Sequence, residues 1–196
     1  MQRGPDLRRG ERSEGDGWNV AELRLSFPAM ALTSTLQAYD PDWPKRYAEA
    51  AINLAPIFGG RLVQLHHVGS TAIPDLVAKP EIDILAVVST ADTPDRWVHE
   101  LAGLGYRRGH DLSEGHRFFK RDAGGVRTHK LHLCTTGHDS VRRMITFRDH
   151  LRAHPADRDA YAAFKLGIAA SETGGIAEYL ARKRRFIDEM LARAEI

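Results

Sequence analysis

His66–Val88 reads HHVGSTAIPDLVAKPEIDILAVV, which places a Gly-Ser turn between two apolar segments. The second segment, IDILAVV, has the length and the β-branched content of a buried strand. Glu81 and Asp83 stand at its start, where charged side chains need a reason. Because side chains along a strand alternate between its faces, the two carboxylates are expected on one face, about 6–7 Å apart.

Such a carboxylate pair can approach one divalent cation or flank two of them. Mg²⁺ is held by one or two carboxylates plus substrate phosphates, and two ions can stabilise an in-line phosphoryl displacement. The turn at Gly69 and Ser70 adds a phosphate cradle, because a glycine after a strand lets backbone N–H groups approach an anion. Ser70 and Thr71 contribute hydroxyl donors, and Lys79 contributes positive charge. A Gly-Ser turn or an acidic strand end is common by itself, but the combination favours nucleotide chemistry.

The rest of the chain predicts an α/β (α+β) protein, a mixed sheet flanked by helices. A first helix is expected to begin near Asp42, as N-cap, and Pro44, and to end at Gly59-Gly60. The hairpin signal Asp122-Ala123-Gly124-Gly125 separates two strands. These two strands are predicted at 117–121 and 128–135, and two earlier strands are predicted at 61–68 and 81–88. Further helices are expected to begin at Pro94 and at about 140, 157 and 176. Residues 140–196 thus form a helical C-terminal part.

Composition bounds the class of protein. The 196 residues suit one domain, predicted at 31–196, after a polar N-terminal extension at 1–30 that is predicted to be disordered. The 28 basic and 26 acidic side chains give a net charge of +2, which argues against nucleic acid as a partner. The single cysteine, Cys134, allows no intramolecular disulfide. No apolar run reaches the roughly 18 residues of a membrane span, so a cytoplasmic protein is expected.

The motifs resemble the nucleotidyltransferase superfamily and, more closely, the GrpB family, which also occurs fused to some dephospho-CoA kinases. The resemblance extends from about residue 37 to the end of the chain. The matching segments are YDPDWP (39–44), VGSTAIP (68–74), AKP (78–80), IDI (82–84), RFF (117–119), HKLHL (129–133), FRDHLRAHP (147–155) and the spaced Tyr179, Lys183 and Phe186.

This resemblance implies a nucleotidyltransferase-like fold with a metal-dependent site. Two departures stand out. Nucleotidyltransferases add a third carboxylate from a neighbouring strand, whereas this chain offers His132 there, a ligand that suits Mn²⁺ or Zn²⁺ better than Mg²⁺. Asp75 stands where many relatives have glycine.

The candidate site residues fall into two groups. Glu81 and Asp83 are the predicted catalytic residues, and together with His132 they are the predicted ligands of Mg²⁺ or Mn²⁺. The predicted nucleotide-binding residues are Gly69, Ser70, Thr71, Lys79, Arg117, His129 and Lys165, with Lys183 as a further candidate to reach phosphate. His129 and His132 are expected on opposite faces of their strand. For the basic and histidine side chains, a solvated or structural role is the alternative.

Three functions remain open from the sequence. The first is a nucleotidyltransferase that moves a nucleoside monophosphate from an NTP to a small-molecule acceptor. The second is a non-catalytic nucleotide- or phosphate-binding module, favoured by the missing third carboxylate. The third, an RNA-linked protein, is opposed by the balanced charge.

Overall fold

The computed structural model describes residues 35–89, 94–170 and 176–194. The predicted disordered extension at 1–30 lies outside the described residues. Within them, five α-helices and five strands follow in the order α1, β1, β2, α2, β3, β4, β5, α3, α4, α5. The helices are α1 (Trp43–Phe58), α2 (Asp95–Gly103), α3 (Asp139–Ala153), α4 (Pro155–Ala170) and α5 (Ile176–Arg193). The strands are β1 (Leu62–Val68), β2 (Ile82–Val88), β3 (Tyr106–Arg108), β4 (His116–Ala123) and β5 (Val126–Thr135).

The five strands form one mixed sheet in the order β1-β2-β5-β4-β3. β2 and β5 run parallel, and the other neighbouring pairs are antiparallel. The predicted class, an α/β mixed sheet flanked by helices with a helical C-terminal part, is therefore confirmed.

Side-chain alternation along β2 divides the core into two layers. Ile82, Ile84, Ala86 and Val88 are buried with the apolar faces of α1 and α2. On the other face, Leu85 and Val87 are buried with Val68 and Cys134, and apolar side chains of α3 pack against them. The predicted alternation of β2 is confirmed, and the face that carries Asp83 is the face covered by α3.

The C-terminal helices are attached to the segment that follows β1. Ile73 and Leu76 of that segment are buried together with Leu151 of α3 and Tyr161 of α4. Two arginines of α3 reinforce the attachment, since Arg148 donates to the carbonyl of His67 at 2.9 Å and Arg152 donates to the carbonyl of Ala72. These bonds fix the backbone on both sides of the Gly-Ser turn.

Three local predictions differ from the structure. Asp42 occupies the N-cap of α1 but caps nothing with its side chain; instead its N–H donates to Asp40 Oδ1 at 2.9 Å. β2 begins at Ile82 rather than at Glu81, because the Glu81 N–H turns back to the carbonyl of Lys79 at 2.7 Å. β3 was not predicted; its three residues pair with β4 at the sheet edge and show too short a pattern to detect.

Among the described residues, none of the helices has both the length and the apolar character that a bilayer crossing requires.

Candidate functional site

A cavity of about 490 Å³ opens between one end of the β1–β2 pair and helices α3 and α5. Its apolar wall includes Val68, Met144 and Phe147. Its polar lining comprises Gly69, Ser70, Asp83, His132, Ser140, Arg143, Lys183 and Arg184. The cavity therefore joins the Gly-Ser turn, one carboxylate of the predicted acidic pair and a set of basic side chains.

Gly69 brings the turn close to Asp83. Val68 pairs with Asp83 across the sheet, and the next residue, Gly69, turns the chain with φ 71° and ψ −171°. A Cβ at Gly69 would lie 2.8 Å from the Cβ of Asp83 and would overlap its carboxylate. Only glycine combines this backbone conformation with so close an approach.

Thr71 holds the turn from behind rather than lining the cavity. It is fully buried, and its hydroxyl donates to the carbonyl of Glu81 at 3.1 Å. The same hydroxyl lies 3.1 Å from Nε2 of His67, whose ring stacks on Tyr47. The hydroxyl predicted to contact phosphate is thus committed to joining the turn to the start of β2.

The two carboxylates of the predicted pair have different surroundings. Glu81 is 5% exposed, and its Oε2 lies 2.5 Å from Nζ of Lys130. Asp83 faces the cavity, with Oδ1 at 3.8 Å from the same Nζ and at 3.9 Å from Nε2 of His132. Burial acts to raise the pKa of Asp83, but Lys130 and His132 outweigh it and hold this pKa at about 2. Asp83 is therefore an ionised carboxylate open to a ligand, whereas Glu81 is closed off by a lysine.

His132 continues into a chain of hydrogen-bonding groups along the sheet. Its Nδ1 lies 2.9 Å from Nε2 of His116, and Nδ1 of His116 lies 3.1 Å from the hydroxyl of Ser140. Burial lowers the pKa of His116 to about 4, so this ring is neutral at pH 7. The chain connects Asp83 with Ser140, two groups that line the same cavity.

His116, Cys134 and His138 place three potential metal-ligating atoms within 4.8 Å of one another. Both ring nitrogens of His138 are already engaged. Nδ1 accepts the Ser140 N–H at the start of α3, and Nε2 lies 3.1 Å from the carbonyl of Glu114. Burial raises the pKa of the Cys134 thiol to about 12. A metal here would have to displace a hydrogen bond of His138, at either ring nitrogen, and ionise a buried thiol, so the cluster fits a structural network better.

Basic side chains approach the acidic pair from several elements. Lys183 of α5 lines the cavity. Burial lowers the pKa of Lys79, while neighbouring Glu81 acts to raise it. Lys165 is 3% exposed, donates to the carbonyl of Val77 and lies over the Tyr161 ring at 4.7 Å. Burial and Lys183 lower the pKa of Lys165 to about 7. Lys165 does not line the cavity, but it lies behind Tyr161, which does.

Two predicted nucleotide-binding residues lie on the opposite face of the sheet. Arg117 pairs with Leu133, a residue of the α1–α2 layer, and its Nε lies 3.5 Å from Asp111. His129 is buried, and its ring meets Tyr106 edge-on in the same layer. The structure brings neither residue to the cavity. The predicted opposite orientation of His129 and His132 is confirmed, but His132 alone faces Asp83.

Sequence reasoning missed several groups that the structure gathers here. Lys130 could have been found, because it stands two residues before His132 on the same strand and therefore shares its face of the sheet. Ser140, Arg143 and Arg184 belong to helices that are distant in sequence, and only the packing of α3 and α5 brings them to the cavity.

The donor set fits the predicted divalent ion only in part. Asp83 fits, since it is ionised and opens into a cavity where phosphate oxygens could complete the coordination of a single ion. Glu81 does not fit, because its carboxylate is buried against Lys130. The arrangement supports one ion at Asp83 rather than the predicted site of two carboxylates and a histidine.

Fold and site together define a small α/β protein with a cavity that contains a tight Gly-Ser turn, the carboxylate of Asp83 and basic side chains of α3 and α5. The chain belongs to the GrpB family, whose model, described as GrpB protein, matches residues 33–193.

Known proteins place this result in context. The chain is 39% identical over 163 residues to UPF0157 protein BH1888 of Halalkalibacterium halodurans, covering 82% of each protein. The crystal structure of conserved protein GrpB from Enterococcus faecalis superposes with a TM-score of 0.75 at 29% identity, covering 82% of this chain and 96% of that one. A dephospho-CoA kinase of Mycobacterium tuberculosis is 25% identical over an alignment of 180 residues that covers 79% of this chain and 44% of the kinase. The same kind of domain thus forms nearly all of some proteins and part of a longer one.

Proposed function

We propose that the cavity binds a nucleoside triphosphate and that the protein transfers the nucleoside monophosphate to a small-molecule acceptor. The observation that carries the proposal is the contact between the Gly69-Ser70 turn and the ionised carboxylate of Asp83 at the base of one cavity. Its volume of about 490 Å³ lies within the usual range for small-molecule sites.

The basic lining supports a polyanionic ligand. Lys183 and Arg184 line the cavity from α5 and Arg143 lines it from α3. Arg143 also pairs with Asp188 of α5, so the two helices hold the basic group together. A triphosphate in the cavity would meet both the hydrogen-bond donors of the turn and the positive charge of these side chains.

The residues account for catalysis through position and charge. A divalent ion on Asp83, Mg²⁺ or Mn²⁺, would neutralise phosphate charge. Gly69 and Ser70 would fix the phosphates, and Lys183 would offset the charge of the leaving pyrophosphate. Asp83 would accept the acceptor's proton, with His132 and His116 adjacent as a route towards Ser140. Such catalysis consists largely of orientation and preorganised electrostatics.

Nucleotide or phosphate binding without turnover is the second candidate. It is favoured by the burial of Glu81 against Lys130 and by the absence of Asp and Glu from the sequence of β5. A site with one carboxylate has the means to bind phosphate but less of the charge that phosphoryl transfer uses.

Calorimetric titration of ATP, GTP, CTP and UTP, each with Mg²⁺ and with Mn²⁺, tests both candidates when pyrophosphate is assayed in the same samples. Asp83→Asn should weaken metal-dependent nucleotide binding by 10-fold or more, because a charged ligand contact is worth about 1.5–3 kcal/mol. The matched control is Asp95→Asn, an exposed carboxylate on α2, across the sheet from the cavity; it should change nothing.

Each outcome has a distinct meaning. Binding with pyrophosphate release supports the transferase, once a hydroxyl or amine acceptor is present. Binding without pyrophosphate across an acceptor panel supports the second candidate. If no nucleotide binds under any of these conditions, or if Asp83→Asn binds as tightly as the wild type, the proposed site is wrong.

A further inference from the structure

Lys130 lies between the carboxylates of Glu81, which precedes β2, and Asp83, the second residue of β2. Its Nζ is 2.5 Å from Oε2 of Glu81 and 3.8 Å from Oδ1 of Asp83. The parallel register pairs Lys130 directly with Asp83, so the backbone itself places the ammonium group there. Two carboxylates converging on one cation is the arrangement by which proteins hold divalent metals. Here a side chain of the protein is that cation.

The surrounding charge excludes a second ion at this position. Lys79 and Lys183 both act electrostatically on Lys130, so three lysines face the two carboxylates. A divalent ion between Glu81 and Asp83 would displace Lys130 from the buried Glu81 carboxylate. It would also place two further positive charges beside that ammonium group, which is electrostatically unfavourable.

We propose that Lys130 supplies the positive charge that a second divalent ion would otherwise bring between Glu81 and Asp83, so the site takes up at most one divalent ion. The single ion on Asp83 rests on the proposed function, whereas the role of Lys130 rests on the geometry of the ion pairs. It follows that removing the lysine should convert the acidic pair into a metal site that the wild type does not have.

The test counts Mn²⁺ ions bound per chain by electron paramagnetic resonance, with the metal alone and no nucleotide. Lys130→Met should bind one ion more than the wild type. At 100 times its Kd, that ion should raise the Tm of the variant by roughly 5–10 °C beyond any rise in the wild type. The double variant Glu81→Gln with Lys130→Met should lose both the extra ion and the extra rise in Tm.

Lys120→Met is the matched control. Lys120 is the cross-strand partner of Lys130 on β4, on the same face of the sheet, so it removes an equal charge one strand further from the carboxylates. It should leave the count of bound ions unchanged. An equal gain of metal by Lys120→Met would show a general charge effect and overturn the proposal.

The remaining outcomes also decide. A folded Lys130→Met that binds no more Mn²⁺ than the wild type overturns the role of Lys130. The wild-type count does not depend on whether the variant folds: two ions per chain overturn the proposal, and one or none supports it. These readings are independent of nucleotide binding, so a failure of the proposed function would be seen separately, in the calorimetric titration.

Discussion

Replacing Gly69 by alanine should lower the stability of the protein more than most other glycine-to-alanine substitutions in this chain. Two costs add at this position. The backbone at φ 71°, ψ −171° belongs to a region that is essentially restricted to glycine, at a cost of about 1–3 kcal/mol for other residues. The added Cβ would also lie 2.8 Å from the Cβ of Asp83, and overpacking of this kind costs about 1–3 kcal/mol. The expected loss in the free energy of unfolding is therefore roughly 2–6 kcal/mol.

Two neighbouring glycines separate these costs. Gly59 has φ 53° with no atom within 4 Å of a built Cβ, and Gly60 has equally open space without the positive φ. Urea unfolding should rank the alanine variants in the order Gly60, Gly59, Gly69, from least to most destabilised. The Gly60 variant should lie within about 1 kcal/mol of the wild type. Equal midpoints for the Gly59 and Gly69 variants, at equal slopes, would refute the close contact between the turn and Asp83.

Three further predictions concern stability. Asp75 has φ 63°, so Asp75→Gly should be neutral or up to about 1 kcal/mol more stable, whereas Asp75→Ala should fall about 1 kcal/mol below the glycine variant in urea midpoints. Burial lowers the pKa values of His67, His116 and His129 from 6.5 to about 4. Between pH 4 and 6.5 the unfolded chain therefore binds more protons than the folded chain. The free energy of unfolding should consequently fall as the pH drops from 6.5 to 4, by up to about 3 kcal/mol per histidine. His129→Gln should flatten this acid limb in pH-dependent urea unfolding, and an unchanged limb would contradict the assignment. Burial and a neighbouring lysine lower the pKa of Lys165 from 10.5 to about 7. From pH 7 to 8.5, the free energy of unfolding of the wild type should therefore rise relative to that of Lys165→Met, by at most about 1.4 kcal/mol per pH unit. Parallel pH profiles of the two proteins would exclude the lowered pKa of Lys165.

Much of the fold follows from local pattern. Three short-range signals are strong: the apolar run of β2, the Gly-Gly pair that follows α1, and the Gly-rich hairpin between β4 and β5. The structure has each of these elements within a few residues of its predicted place. β3 escaped prediction because three residues after Gly105 carry no alternation, and pairing with β4 alone makes them a strand.

The site was less predictable, for a reason that lies in the sheet. Alternation shows that His129 and His132 face opposite ways, but it does not show which face the helices leave open. That is decided by α3 covering Leu85, Val87 and Cys134. For the same reason, Arg117 was predicted to bind nucleotide. Its pairing with Leu133 places it instead on the face that packs against α1 and α2. The parallel register that sets Lys130 beside Asp83 has no local sequence signal, since its partners lie far apart in the chain.

That parallel pair also has a consequence for the order of folding. β1 with β2, and β3 with β4 and β5, are antiparallel units of nearby strands. The junction between them pairs Ile82 with His129 and Val88 with Thr135, and it closes the longest loop in the sheet. Loop-closure entropy makes such a pairing slow compared with local hairpins.

Asp83, Lys130 and His132 all stand on this junction, so the charges of the site meet only when the two halves of the sheet have joined. The ion pairs of Lys130 with Glu81 and Asp83 therefore depend on the pairing that closes the longest loop in the sheet. The assembly of the candidate site is thereby coupled to the long-range pairing that joins the two halves of the sheet.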